Sequence, residues 1–196
     1  DDESTRRLVG ASLSKTMLQP RFLMLDRDGV INLDSEAYIK APEEWTPIPR
    51  SLEAIALLTQ AGWRIAVATN QAGLARGLFD LATLNRIHAR MHDMVQRQGG
   101  RIEAVFFCPH RSQDNCACRK PKPGMLLEAA DRFGADFSGQ AFVGDSLRDL
   151  QAASAAHMQP VLVRTGNGMQ TLEQASLIPD GTQVYDDLMA FAETLL

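Results

Sequence analysis

Short apolar runs alternate along this chain with longer stretches in which apolar positions recur every three or four residues. Phe22–Leu25, Arg64–Ala68, Val105–Cys108, Ala141–Gly144 and Val161–Val163 are short, apolar and bounded by polar or glycine positions, which predicts strands buried on both faces. Between them Leu52, Ile55, Ala56 and Leu58 form one helical stripe. Leu84, Ile87, Met91, Met94 and Val95 form a second, behind Asp80 as an N-terminal cap. Further helices are expected over Pro123–Phe133, Leu147–Ala156 and Asp187–Leu195, with Pro123 suited to a first turn and Gly134 to the residue just past a helix end. This alternation predicts an α/β fold with a Rossmann-like parallel sheet flanked by helices.

The chain has 196 residues, 45% apolar and 22% charged, which is enough for one domain with a sizeable core. Residues 1–19 are polar and weakly patterned, and read as a tail, an expression remnant or sequence upstream of a start at Met17. Residues 20–196 read as a single domain, expected as a monomer. A net charge of −4 argues against nucleic acid or an anionic membrane as the main partner. No run of about 18 apolar residues is present for a membrane span, and the start lacks the pattern of a secretory signal, so a cytoplasmic protein is expected.

The chemistry gathers at the ends of the strands. Asp26-Arg27-Asp28-Gly29 follows the first strand, placing two carboxylates at a turn where they can divide nucleophilic and acid–base roles. D-x-D-G is also a common turn sequence. The second strand leads into Thr69-Asn70-Gln71, a hydroxyl followed by amides, although a threonine there also suits a helix cap. Arg119 and Lys120 lie in a basic loop entering a helix, which could equally be solvated. Asp145 directly follows the fourth strand and can complete a Mg²⁺ site with Asp26. Asp149 suits a supporting hydrogen-bond acceptor, or an acidic residue in a helix's first turn.

All three cysteines lie between positions 108 and 118. Cys108-x-His110 and Cys116-x-Cys118 bracket a five-residue loop and supply four ligands for a closed, structural zinc site. A disulfide with a spare thiol, or three buried free cysteines, are the alternatives. Zinc there would clamp the loop that delivers Arg119 and Lys120. His88 and His92, four apart on a helix, lack the acidic partner of a metalloprotease pattern and read as a solvated helix face. His157 reads as a contact at a helix end.

Taken in order, Asp26-Arg27-Asp28-Gly29, Thr69-Asn70-Gln71, Arg119-Lys120-Pro121 and Gly144-Asp145 resemble the four motifs of the haloacid dehalogenase-like (HAD) phosphohydrolases, over about residues 21 to 168. Within that superfamily the Cys-Pro-His loop, Cys-x-Cys-Arg-Lys-Pro and Thr69 to Gly77 look most like the heptose-1,7-bisphosphate phosphatases, enzymes of lipopolysaccharide core precursor synthesis. The resemblance implies a phosphoaspartate on Asp26, with Asp28 as general acid and then base. It implies Mg²⁺ on Asp26, the main-chain carbonyl of Asp28 and Asp145. Thr69, Asn70 and Lys120 would hold the phosphoryl oxygens. Substrate would be read by Arg119, Gln71, Ala72, Ser146 and the segment Asp34, Ser35, Glu36 and Ala37.

Ser146 stands where a lysine is expected in some of these enzymes, putting one charge contact in doubt. The length of the zinc loop keeps histidinol phosphate as an alternative substrate. A non-catalytic module holding phosphorylated metabolites is an alternative of another class. The gaps between motifs leave no room for a cap domain, so an open site is expected, with specificity loops that include Tyr38 and Trp45.

Overall fold

The structure, a computed structural model, describes residues 20–196. The expected tail lies outside the described residues. Six parallel strands form one sheet: β1 (Arg21–Leu25), β2 (Trp63–Asn70), β3 (Ala104–Cys108), β4 (Ala141–Gly144), β5 (Gln159–Val163) and β6 (Gln183–Tyr185), in the order β3-β2-β1-β4-β5-β6. Six helices connect or follow them: α1 (Ser51–Gln60), α2 (Leu81–Arg97), α3 (Gly124–Phe133), α4 (Leu147–Ala155), α5 (Gly168–Leu172) and α6 (Leu188–Glu193).

Side chains of a strand alternate between faces, and β1 shows what each face buries. Leu23 and Leu25 join one cluster with Leu52, Ile55 and Leu58 of α1, Ile87 and Met91 of α2, and Leu188 and Phe191 of α6. Phe22 and Met24 join the other with Met125, Leu126 and Ala129 of α3 and Ala152 and Ala153 of α4. Helices therefore cover both faces, which is why the strands read as continuous apolar runs. Asp80 caps α2 by accepting from the Thr83 amide at 2.8 Å, and Gly134 ends α3 in the left-handed region at φ 59°. Pro123 precedes α3 instead of entering its first turn, and Asp187 serves as the cap of α6, accepting from Ala190 N at 2.8 Å.

The sequence reading misses β6 and α5. β6 has three residues, none of them buried, and α5 has five, too few for either periodicity to show. No folded unit beyond α1 and a single 3-10 turn (Pro42–Glu44) lies between β1 and β2, so the core carries no inserted cap there. β1 is flanked by β2 and β4, so the strand order reverses between β1 and β4. Open parallel sheets bind ligands outside the carboxyl ends of the strands at such a reversal. Asp26 and Asp145 are the first residues beyond these two strands.

Candidate active site

A cavity of about 200 Å³ opens at this reversal, lined by Asp26, Asp28, Thr69, Lys120, Asp145 and Asp149 from the strand ends. The register that aligns Leu25 with Val67 and Val143 carries the segments after β1, β2 and β4 to the same edge. Asp34, Ser35, Glu36, Tyr38, Asn70, Gln71, Ala72, Arg119, Ser146, Arg148 and Asn167 complete the wall. Of the expected substrate segment only Ala37 lies outside, in a neighbouring depression with Leu33 and Lys40. Trp45 is a correction: it is fully buried against the α1–α2 side of the sheet, because this large apolar ring gains more in the core than at the wet rim. Tyr38 does reach the cavity, and holds a left-handed backbone at φ 66°.

The buried ammonium of Lys120 organises the floor. It lies 2.9 Å from Asp26 Oδ1, 2.7 Å from Asp149 Oδ1 and 2.9 Å from the Ala68 carbonyl. Burial opposes its charge, yet the two carboxylates outweigh that and hold its pKa above the ordinary lysine value. Two of its N–H groups are hydrogen-bonded, to Asp26 Oδ1 and the Ala68 carbonyl, while Asp149 pairs with its charge. The Asn70 side chain straps the Lys120 backbone from both sides, donating to Lys120 O and accepting from Lys120 N, each at 3.1 Å. Asn70 therefore positions the lysine first, with one amide hydrogen left for a ligand.

Asp149 is the supporting acceptor that its position suggested. Its Oδ2 accepts from Asp145 N at 3.2 Å, Ser146 N at 3.1 Å and Ser146 Oγ at 2.9 Å, while Lys120 covers Oδ1. Despite burial, Lys120 and the Ser146 donors hold its pKa below the usual carboxylate value. Ser146 is the N-cap of α4, and its side chain is turned into that capping exchange.

Asp26 and Asp145 face the opposite balance. Burial first, and then the Asp149 carboxylate, push Asp26 well above the ordinary value and Asp145 up to about 7. Oxygens of Asp26, Asp145 and Asp149 lie within 4.8 Å of one another. Among the described residues, Asp26 Oδ2 and Asp145 Oδ1 accept no hydrogen bond. Two buried carboxylates with free lone pairs, whose repulsion Lys120 relieves only in part, form a donor set suited to a hard divalent cation. Two glycines make this approach possible. A Cβ on Gly29, at φ +83°, would meet Asp145 Oδ2 at 2.0 Å, and one on Gly166, at φ +56°, would meet it at 2.2 Å.

Asp28 is held differently. Its Oδ1 accepts from Arg27 Nη2 at 2.8 Å, Arg27 Nε at 3.0 Å and Asn32 Nδ2 at 2.9 Å. Its Oδ2 accepts only a long 3.3 Å contact from Gln71 Nε2. Gln71 also donates to Thr69 Oγ1 at 2.9 Å, so the Thr69 hydroxyl proton is free to point at a ligand. His88 corrects the sequence reading. It is 7% exposed, with Nε2 3.1 Å from Arg27 Nη1, and burial and the Arg27 charge push its pKa down to about 3.

The four cysteine and histidine residues converge as expected. Cys108 Sγ lies 3.2 Å from Cys118 Sγ, 3.6 Å from Cys116 Sγ and 3.5 Å from His110 Nδ1, and His110 Nδ1 lies 3.3 Å from Cys118 Sγ. All three cysteines are free thiols. The edges of a tetrahedron with metal–sulfur bonds of about 2.3 Å are about 3.8 Å, close to these separations, so the cluster could hold a four-coordinate ion. The loop steers Arg119, whose amide donates to Cys116 Sγ at 3.3 Å and whose Nη1 donates to His110 O at 3.2 Å.

Asn167 escaped the sequence reading. Its main-chain N–H (2.8 Å) and side-chain amide (3.3 Å) donate to Asp145 Oδ2, and the same amide reaches Asp34 Oδ2 at 3.1 Å. These partners lie 22 and 133 residues away, a closure that no local pattern announces.

Comparison with known proteins agrees with this geometry. Residues 117–191 match a HAD-hydrolase-like family. The chain is 57% identical to the D-glycero-β-D-manno-heptose-1,7-bisphosphate 7-phosphatase of Pseudomonas aeruginosa, over 89% of this chain and 97% of the relative. It is also 57% identical to the enzyme of that name from Bordetella bronchiseptica, over 90% and 98%. Among solved structures, the B. bronchiseptica D,D-heptose 1,7-bisphosphate phosphatase complexed with magnesium and phosphate superposes with a TM-score of 0.87 at 56% identity, covering 89% of this chain and 97% of that one. The Burkholderia thailandensis enzyme gives 0.71 at 47% identity, with the same coverage.

Proposed function

The chain belongs to the D-glycero-β-D-manno-heptose-1,7-bisphosphate 7-phosphatase family, and on that premise we propose that it removes the 7-phosphate of this β-anomer through a phosphoaspartate on Asp26. As a member it is a phosphoric monoester hydrolase. The observation that carries the mechanism is that each of two neighbouring cavity carboxylates keeps one oxygen held and the other open, with a buried ammonium behind the first and a guanidinium behind the second. Asp26 has one oxygen anchored by Lys120 and the Arg27 amide and the other free, whereas Asp28 has one oxygen saturated and the other nearly bare.

In the first half-reaction a carboxylate oxygen of Asp26 attacks phosphorus and the bond to the sugar oxygen breaks. Asp28 Oδ2 gives its proton to that departing oxygen. In the second, the same oxygen takes a proton from water, whose oxygen attacks phosphorus and releases Asp26 with inorganic phosphate. Thr69 donates its free hydroxyl proton to a phosphoryl oxygen, and Lys120 adds positive charge behind the nucleophile. Mg²⁺, held by Asp26, Asp145 and the Asp28 main-chain carbonyl, would offset repulsion between a dianionic phosphate and the nucleophile. Cys108, His110, Cys116 and Cys118 would hold a structural zinc ion, and Cys116 and His110 hold Arg119 at the mouth, where it reads the rest of the substrate. Free cysteines fit a reducing compartment, and no described helix is long and apolar enough to cross a membrane; we assign the enzyme to the cytoplasm.

Mg²⁺-dependent phosphate release from the two anomers of heptose 1,7-bisphosphate and from histidinol phosphate tests this reading. The β-bisphosphate is expected to lead histidinol phosphate by about 10²-fold in kcat/KM, about 2.7 kcal/mol of transition-state discrimination. Preference for histidinol phosphate would overturn the substrate assignment, and no turnover of either would leave a binding module.

A further inference from the structure

We propose that His88, a residue of α2 outside the cavity, is a positioning residue for proton transfer: its Nε2 lone pair anchors Arg27, and Arg27 anchors Oδ1 of Asp28 so that Oδ2 alone handles the proton. The inference rests on the reading of Asp28 as acid and base.

The Arg27 side chain is fully buried and pairs with the Asp28 carboxylate. Two of its nitrogens, Nε and Nη2, converge on the single oxygen Oδ1 at 3.0 and 2.8 Å. Such convergence fixes a distance but leaves the guanidinium free to swing about that oxygen unless a third contact holds its far side. His88 supplies it at 3.1 Å from Nη1, across 61 residues of sequence. A guanidinium can only donate, so Nε2 of His88 accepts and the ring is the neutral Nδ1–H tautomer. The downward shift of its pKa agrees with a ring that stays neutral beside the buried cation.

The post itself is stiff. His88 lies in the middle of the 17-residue α2, four residues after Leu84 and three before Met91, both fully buried. Asn32 completes the anchorage of Oδ1 from the other side, at 2.9 Å. With three donors on Oδ1, a proton placed there would displace a hydrogen bond, whereas Oδ2 carries only the long Gln71 contact. The helix thus selects which carboxylate oxygen reacts, and it does so through a side chain that touches no substrate.

The full-length protein with Mg²⁺ is assayed on the heptose bisphosphate as wild type, His88→Met, His88→Gln and Asp28→Asn. Met removes the strong acceptor at similar volume, whereas the Gln carbonyl restores it at similar reach. His88→Met is expected to lower kcat by about ten- to a hundredfold with KM within about threefold, and His88→Gln to keep kcat within about threefold of wild type. Equal kcat in Met and wild type overturns the proposal, as does a Gln variant as slow as Met. If His88→Met fails to fold, long-range ¹H–¹⁵N correlation on the wild type decides: the neutral Nδ1–H ring at about pH 6 supports the proposal, and an Nε2–H ring or an imidazolium overturns it. Full activity in Asp28→Asn would instead defeat the acid–base reading on which it rests.

Discussion

Mg²⁺ binding should be coupled to proton release, and the size of the coupling follows from Asp145. In the metal-free protein its pKa stands at about 7 against an ordinary value of 3.8. That difference of roughly three units corresponds to at most about 4 kcal/mol between the protonated and ionised forms. Because the folded pKa is raised, this group's contribution to the stability of the metal-free fold is fully present below about pH 4 and is lost as pH rises through about 7. Asp26, raised in the same direction, adds to the loss. A divalent cation between the two carboxylates removes the penalty, so Mg²⁺ should stabilise the protein far more at pH 8 than at pH 5. Isothermal titration in two buffers of different ionisation enthalpy, repeated across that range, measures both affinity and protons released. At least one proton per Mg²⁺ is expected near pH 6, with apparent Kd rising at least tenfold per pH unit well below about 7. A Kd independent of pH across this range would refute the picture of frustrated carboxylates waiting for a cation.

Other perturbations have equally definite outcomes. Lys120→Met removes the cation shared by Asp26 and Asp149, leaving buried carboxylates uncompensated; urea unfolding at neutral pH should show a loss of about 3–5 kcal/mol, partly recovered on acidification. Gly29→Ala forces a Cβ to within 2.0 Å of Asp145 Oδ2 at a positive φ, and should weaken Mg²⁺ binding at least tenfold in the same titration. Cys118→Ser should lower bound zinc from about one equivalent by elemental analysis, lower Tm, and both raise KM and lower kcat, because the loop leads to Arg119 at the mouth and to Lys120 beside Asp26.

The parts of the molecule that the sequence announces are those whose signals are local. Five of the six strands carry continuous apolar runs because the sheet is covered on both faces, and the four clustered cysteine and histidine residues of the loop stand within eleven positions of one another. Asp26 and Asp145 follow strands directly, so strand ends place them. His88 was readable in principle: its spacing from Leu84 and Met91 puts it beside the apolar stripe of α2, while His92 falls off it. Trp45 looked like a specificity residue because its loop adjoins the substrate segment, yet a fully buried ring of that size belongs to the core. Asn167, Gly166 and the Arg27–His88 contact depend on closures of the chain over tens of residues, which periodicity cannot carry. Ser146 shows the limit from the other side, since its missing positive charge is plain in the sequence but its capping exchange with Asp149 appears only in three dimensions.

The central claim is that Asp26 becomes covalently phosphorylated while Asp28 moves the proton. Acid quenching during turnover of the heptose bisphosphate, followed by borohydride reduction and peptide mass spectrometry, tests it most directly. A reduced, formerly phosphorylated residue at position 26 is expected, more abundant in Asp28→Asn and absent with Asp26→Asn, which should also have lost turnover. Turnover that persists in Asp26→Asn, or an adduct on any other residue, would contradict the account.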